Sequence, residues 1–271
     1  MSLANAGPVL LIGAGKMGMA MASGWVRAGL PGAALTLIDP QPHESVSVFA
    51  AAHGARLLGD LPTEVARVVV LAVKPQIMDA VLAAARAVVG PETLVISIAA
   101  GISTEKLSAG LGTGRIVRAM PNTPAQIGKG ISGAFARGEI TPADRALAEA
   151  VLEAAGAVVW VDAEDLIDAV TAVSGSGPAY VFHLVEAMAA AGRAQGLSEQ
   201  QAMALARQTV IGAAALMEAD AAPAEQLRRN VTSPGGTTQA ALDVLMADDG
   251  LGALMARAIA AARSRSEELG R

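Results

Sequence analysis

Up to Val161, the chain alternates between short apolar runs and longer segments with apolar residues at helical spacing. The runs are rich in Val, Leu and Ile, which is typical of buried strands. We predict strands at Pro8–Ile12, Ala34–Ile38, Val68–Val73, Thr93–Ile98, Arg115–Ala119, Gly130–Ala136 and Ala157–Trp160. Helices are predicted at Met19–Ala28, Gln76–Val89 and Thr104–Gly110, with another beginning at Thr141-Pro142. This alternation favours a parallel sheet with right-handed crossovers.

Beyond Asp162, the pattern changes to helical spacing alone. We predict helices at Asp165–Ala191, Glu199–Ala219, Ala224–Asn230, Thr238–Ala247 and Gly252–Leu269. The chain of 271 residues is long enough for two domains. We therefore expect an α/β domain at residues 1–161 and an all-α domain at residues 162–271.

A glycine-rich turn joins the first predicted strand to the first helix, with the sequence Gly13-Ala14-Gly15-Lys16-Met17-Gly18. A Gly-x-Gly-x-x-Gly motif is weak evidence alone, but between a strand and a helix it predicts a Rossmann-type dinucleotide site. Gly13 permits the tight turn, Gly15 lets a pyrophosphate approach the backbone, and Gly18 lets helix and strand pack closely. We expect the cofactor to contact Gly13, Gly15, Lys16, Met17 and Gly18. A glycine turn without a ligand is the weaker alternative.

Asp39 follows the second predicted strand. A carboxylate there would hydrogen-bond the ribose 2′-OH of NAD(H) and repel the 2′-phosphate of NADP(H). Asp39 also begins the run Asp39-Pro40-Gln41-Pro42, so a simple turn residue is a real alternative. Arg and Lys are absent from the next few positions. The residues thus lean towards NADH without deciding the preference.

Three more loops follow predicted strands, at Ala72–Pro75, Ala99–Gly101 and Met120–Pro124. Ligands bind at the carboxyl ends of the strands in such sheets. We expect cofactor contacts from Ala72, Val73, Lys74, Pro75, Ala99 and Ala100. Lys74 would line the phosphate or ribose side, and an ordinary surface lysine is the alternative.

Two glycine- and proline-containing stretches interrupt the helical half. Ser174–Pro178 lies inside a helical pattern, although glycine and proline cost about 1 and 3 kcal/mol there relative to alanine. It is either a loop or kink, or a helix with one bare face against which a flat ring can lie. Val231–Thr238 contains two glycines beside a proline. It is either a helix–helix turn with a Thr N-cap or a nest of N–H groups for an anion such as a carboxylate.

Composition excludes several classes of protein. Hydrophobic content of 53% predicts a large core, while 2% aromatic residues and a net charge of -5 argue against nucleic-acid binding. The longest uncharged run contains Ser174–Pro178, so we expect no membrane span. The chain has no cysteine, and its three histidines lack metal-ligand spacing. We expect no metal site and a cytoplasmic protein.

The segments Asp165–Thr171, Ser174–Tyr180 and Val231–Thr238 together resemble pyrroline-5-carboxylate reductases. The resemblance continues through Ala72–Pro75 and Met120–Pro124, so it covers nearly the whole chain. It implies an NADPH- or NADH-dependent reduction of 1-pyrroline-5-carboxylate to L-proline. It also implies a Rossmann domain followed by an α-helical dimerisation domain. The helical domains would interlock into homodimers, which often assemble into decamers, and the active site would borrow helices from a second subunit.

The resemblance also implies roles for particular residues. Thr171 and Thr238 would orient the imine nitrogen or relay a proton. The substrate would contact Ser176, Ser233, Gly235, Gly236, Thr237 and Thr238, with the carboxylate on the N–H groups of the loop. Many family members favour NADPH and carry a small polar residue where this chain has Asp39, so the cofactor preference stays open.

Three alternatives remain at this stage. A β-hydroxyacid dehydrogenase has a similar glycine turn but uses a lysine on the long helix, and Asp165–Ala191 contains none. A reductase of other cyclic imines would differ only in the shape of its pocket. A nucleotide sensor that lost the reaction would bind the cofactor without turning over an imine.

Overall fold

The computed structural model describes residues 3–270. Residues up to Ser176, together with those from Ala262 onward, form one compact unit, and Gly177–Ala261 form a second. Compactness thus divides the chain after Ser176. The predicted domain boundary at residue 161 stays a prediction.

The first unit is built on an eight-stranded sheet in the order β3-β2-β1-β4-β5-β6-β7-β8. The strands are β1 Val9–Ile12, β2 Leu35–Ile38, β3 Arg56–Leu58, β4 Ala66–Leu71, β5 Val89–Ser97, β6 Ile116–Met120, β7 Gly130–Ala136 and β8 Gly156–Trp160. All neighbouring pairs are parallel except β6 and β7. The α/β class with a Rossmann-like sheet is confirmed.

Eleven α-helices lie in the described part of the chain. They are α1 Lys16–Arg27, α2 Glu44–His53, α3 Met78–Ala85, α4 Thr104–Leu111, α5 Pro142–Glu153, α6 Leu166–Val170, α7 Gly177–Ala194, α8 Glu199–Ala219, α9 Ala224–Asn230, α10 Thr237–Leu245 and α11 Leu251–Leu269. The sequence pattern missed α2 and β3, which are short and partly exposed. It also placed the start of α1 at Met19, whereas the helix begins at Lys16 directly after the glycine turn.

Alternate residues of the central strands enter opposite faces of the sheet. Val9 and Leu11 belong to one buried cluster, to which α1 and α5 contribute Met21, Trp25 and Leu152. Leu10 and Ile12 belong to another cluster, which includes residues of α3 and α4. Because helices cover both faces, the strands are apolar throughout, and ligand-binding loops are confined to the strand ends.

The second unit has a small core of its own. Ala189, Ala202 and Ala206 form its buried cluster, with Val185 packed against them. Large apolar side chains of α7 and α8 are mostly exposed, and Phe182 is 64% and Leu216 61% accessible. Exposed apolar surface on this scale marks an interaction face.

A buried ion pair ties α5 to β6's amino-terminal end. Burial would raise the pKa of Asp144, but hydrogen bonds from Thr141 and Arg115 outweigh it and lower that pKa below its ordinary value. Arg115 Nη2 lies 2.6 Å from the carboxylate. A carboxyl with a lowered pKa in the folded state adds stability above its unfolded pKa of about 4 and loses it as the pH falls through the folded pKa.

We therefore expect Asp144→Asn to destabilise the protein at pH 7 by about 2 kcal/mol, since a helix cap and a buried charge pair are both weakened. The difference from wild type should shrink as the pH falls below about 4. Urea unfolding at pH 7 and at pH 3.5 measures both values. An equal difference at the two pH values would mean that the ionised carboxylate is not what stabilises α5.

Candidate active site

The glycine turn has the geometry that a bound pyrophosphate requires. Gly13 adopts φ +100°, and an added Cβ would lie 2.8 Å from the backbone of Ala72. A Cβ on Gly18 would lie 2.2 Å from the carbonyl oxygen of Gly13, whereas one on Gly15 would meet no atom within 4 Å. Gly15 is also the N-cap of α1 and offers no side chain to the free N–H groups of that helix. The open space at Gly15 and the uncapped helix end suit an anion.

Asp39 lies beside this turn. Its Oδ2 accepts a hydrogen bond from the Ala14 N–H at 3.2 Å, and its Oδ1 accepts one from the Gln41 N–H at 2.9 Å. The second bond is the local turn that the sequence offered as an alternative. The first bond spans 25 residues and holds the carboxylate next to the glycine turn. Asp39 therefore serves its turn and also stands where a ribose-reading carboxylate is found.

The other predicted cofactor loops follow neighbouring strands. Parallel β2, β1, β4 and β5 are adjacent in the sheet, so the segments at their carboxyl ends share one edge. The Ala72 N–H donates to Ile12 O at 2.8 Å, which joins the Ala72–Pro75 loop to the end of β1. Lys74 is exposed before a 3-10 turn, Ala99 is buried and Ala100 is exposed. The sheet thus gathers Gly13–Gly18, Asp39, Ala72–Pro75, Ala99 and Ala100 at one edge.

The helix with the glycine and proline residues continues without a loop. Residues Thr171–Gly175 form a π-helical turn between α6 and α7, and the Ser176 N–H donates to Thr171 O at 2.9 Å. The Thr171 hydroxyl donates to Ile167 O at 2.8 Å, so its lone pairs remain for another donor. Wide π-turns inside helices are frequent at functional sites. The structure therefore favours a helix with a small-residue face over a loop.

The substrate loop predicted at Val231–Thr238 lies in the second unit. Gly235 adopts φ +69°, and the Gly236 N–H donates to Ser233 O at 3.0 Å. The helix α10 begins at Thr237, and its N-cap is Gly236, which gives no side-chain cap. The alternative of a Thr N-cap is therefore wrong, and the first N–H groups of α10 have no capping hydroxyl. Such an uncapped helix start suits a carboxylate.

One buried network escaped the sequence reasoning. Arg118 on β6 lies 3.0 Å from Glu164, whose carboxylate also accepts hydrogen bonds from the Thr104 N–H and hydroxyl at 2.7 and 2.6 Å. Glu164 thereby caps α4 and fixes the segment that leads into α6. Because the three residues are 46 and 60 positions apart, no local pattern could reveal them.

Within residues 3–270, no group of three His, Asp or Glu side chains is placed to hold a metal ion. No helix in the same range is long and apolar enough to cross a membrane.

Comparisons with known proteins agree with the geometry. Residues 164–269 match the family described as pyrroline-5-carboxylate reductase dimerisation, and residues 8–101 match the NADP oxidoreductase, coenzyme F420-dependent family. A pyrroline-5-carboxylate reductase of Pseudomonas aeruginosa is 43% identical, with 96% of each chain covered. One of Vibrio alginolyticus is 41% identical over 96% of this chain and 97% of that protein.

Solved structures extend the likeness. A pyrroline-5-carboxylate reductase of Coxiella burnetii superposes with a TM-score of 0.92 and 36% identity, covering 98% of this chain and all of the other. The Plasmodium falciparum enzyme, determined with NADP bound, gives a TM-score of 0.81 at 28% identity over 97% of this chain and 98% of the other. These likenesses hold along the whole length and include the helical half, where a β-hydroxyacid dehydrogenase would need its lysine. The chain belongs to the pyrroline-5-carboxylate reductase family.

Proposed function

We propose that this protein reduces 1-pyrroline-5-carboxylate to L-proline with NADPH or NADH, the last step of proline biosynthesis. The observation that carries the proposal is the 43% identity, over 96% of the chain, with a pyrroline-5-carboxylate reductase. An oxidoreductase of this class needs a dinucleotide, and the uncapped glycine turn of α1 supports one.

The chemistry requires little of the protein beyond placement. Reduced nicotinamide supplies a hydride, and a protonated imine is already electrophilic. The chain's own residues therefore bind, orient and exclude water. In this proposal, Gly13–Gly18, Ala72–Pro75, Ala99 and Ala100 hold the dinucleotide. The small-residue face at Thr171–Ser176 lies against the nicotinamide.

The same proposal assigns the substrate carboxylate to the loop before α10. Its supports are the left-handed Gly235, the Gly236 N-cap and the free N–H groups of Thr237 and Thr238. Ser176 and Ser233 contact the substrate from their respective segments. Thr171 and Thr238 orient the ring nitrogen or relay a proton to it through water.

Thr238→Val tests that assignment because valine keeps the shape of threonine and lacks only the hydroxyl. We expect KM for the imine to rise about tenfold, which is the usual effect of losing one hydrogen bond to a charged group. Thr238→Ser retains the hydroxyl and should stay within about threefold of wild type. Initial rates at varied imine concentration measure both variants. An unchanged KM and kcat in Thr238→Val would remove Thr238 from the mechanism.

We further propose a homodimer as the working unit, with a decamer as its higher assembly, in the cytoplasm. The family match at residues 164–269 is to a dimerisation domain. The exposed apolar side chains of α7 and α8 provide a surface for a second copy. Sedimentation velocity separates the cases, and a single monomeric species at micromolar concentration would contradict the dimer.

Initial rates with 1-pyrroline-5-carboxylate, using NADH and NADPH in parallel, test the reaction. Turnover with either reductant is expected. A larger cyclic imine serves as the comparison substrate and should react more slowly. Cofactor binding without turnover of any imine would contradict the proposal and favour a nucleotide sensor.

A further inference from the structure

The proline of the small-residue segment closely follows the π-turn, and it removes an N–H that a carbonyl of that turn could otherwise accept. In an α-helix, each carbonyl accepts the N–H of the residue four positions later. For Ser174, that residue is Pro178, which has no N–H. Ser174 is partly buried, and a carbonyl removed from water without a donor costs up to about 1–3 kcal/mol, so a replacement donor is expected nearby.

Asn122 supplies that donor. Its Nδ2 donates to Ser174 O at 3.2 Å, and its Oδ1 accepts the Ile131 N–H at 2.9 Å. The Ile131 N–H can only donate, so Oδ1 must face it and the amide group must face Ser174. The side chain is almost fully buried, at 9% accessibility for the residue. The carboxamide thus joins β7, the loop after β6 and the π-turn.

Met120 also lies near the π-turn. A Cβ added to Gly175 would lie 3.6 Å from Cγ of Met120 and 3.7 Å from Cγ2 of Thr171. Met120 is the last residue of β6, two positions before Asn122. Met120 therefore lies close to Gly175, at a distance that would put an added Cβ in ordinary van der Waals contact.

We infer that Asn122 is a positioning residue for the reduction: its carboxamide replaces the N–H that Pro178 lacks and fixes the Thr171–Ser176 turn on the sheet edge. The inference rests on the proposed function, in which this turn lies against the nicotinamide. It also gives a common reason for two motifs that the sequence shows 50 residues apart, Met120–Pro124 and Ser174–Pro178.

Asn122→Asp is the sharpest single variant. The aspartate keeps the size of asparagine and the acceptor for Ile131, but it turns a carboxylate oxygen towards Ser174 O. We expect kcat/KM for the imine to fall about tenfold or more. Binding of ADP-ribose, which lacks the nicotinamide, should stay within about twofold of wild type. A variant that is merely unstable would lose both in proportion to its folded fraction, which circular dichroism measures.

A double-mutant cycle with Pro178→Ala tests whether Asn122 replaces the missing N–H at the Ser174 carbonyl, because alanine restores an N–H to position 178. In the wild-type background Asn122→Ala should lower kcat/KM about tenfold, and in the Pro178→Ala background it should lower kcat/KM less than threefold. Equal losses in the two backgrounds would overturn the inference.

Hydrogen exchange of the wild type and the same variants separates this inference from the proposed function. Asn122→Ala should speed exchange of the Ser176 amide about tenfold in the wild-type background and much less in the Pro178→Ala background. If the wild-type enzyme turns over no imine but this exchange pattern holds, the reaction is wrong and the structural coupling stands. If turnover is normal and exchange at Ser176 is unchanged in every variant, Asn122 does not position the turn.

Discussion

Replacing Asp39 with serine is expected to shift the ratio of kcat/KM for NADPH to that for NADH by roughly 10- to 100-fold in favour of NADPH. The carboxylate is held by the N–H groups of Ala14 and Gln41, so it cannot easily turn away from a ligand at the glycine turn. It would accept a hydrogen bond from a ribose hydroxyl and repel a 2′-phosphate. Positions Pro40 to His43 add no arginine or lysine to hold that phosphate.

Asp39→Asn separates charge from hydrogen bonding. Its single amide oxygen can accept from the Gln41 N–H, so the local turn is kept while the negative charge is removed and the bond from the Ala14 N–H is lost. We expect Asp39→Asn to show most of the increase in kcat/KM for NADPH. Most of the decrease in kcat/KM for NADH should appear only in Asp39→Ser. Glu153→Gln removes an exposed carboxylate at the end of α5 and controls for net charge. An unchanged cofactor ratio in both Asp39 variants would leave Asp39 as a turn residue only.

The periodic pattern predicted most of the sheet because its strands are buried on both faces. Continuous apolar runs such as Val68–Leu71 have little other interpretation, and their helical connections force parallel pairing. The pattern failed at α2 and β3, where most side chains of α2 are exposed, those of β3 are exposed or half-buried, and periodicity is weak. It also gave no sign that β7 runs antiparallel to β6, because the direction of a strand depends on the path of the loop.

The sequence predicted those parts of the candidate site that are formed by the backbone of a single short segment. Glycines 13, 15 and 18 show their roles through their spacing, since Gly13 and Gly18 avoid close steric contacts and Gly15 leaves open space. The supports of the site are different. Asn122, Arg118 and Glu164 act through partners 46 to 60 residues away, so even the Met120–Pro124 loop, which the sequence singled out, gave no sign of what Asn122 contacts. Pro178 was a local signal, because a proline that follows helical residues has no N–H for the carbonyl four positions earlier.

The glycine turn gives the other large expected effect, and it distinguishes folding from binding. A Cβ on Gly18 would lie 2.2 Å from Gly13 O, a backbone atom that cannot move without displacing α1 from β1. Gly18→Ala should therefore lower the melting temperature and abolish cofactor binding together. A Cβ on Gly15 meets nothing within 4 Å, so Gly15→Ala should keep the wild-type melting temperature.

Gly15→Ala should nevertheless weaken NADH and NADPH binding at least about tenfold, because the added methyl group occupies the space that lets a pyrophosphate reach the N–H groups of α1. Thermal unfolding and fluorescence titration of the reduced cofactor measure the two effects. Gly138→Ala, at another open position away from the turn, is the matched control and should change neither. Wild-type cofactor affinity in Gly15→Ala would mean that the pyrophosphate does not occupy the open space beside Gly15. Loss of cofactor affinity with an unchanged melting temperature would show that position 15 requires glycine for ligand binding, whereas position 18 requires glycine for folding.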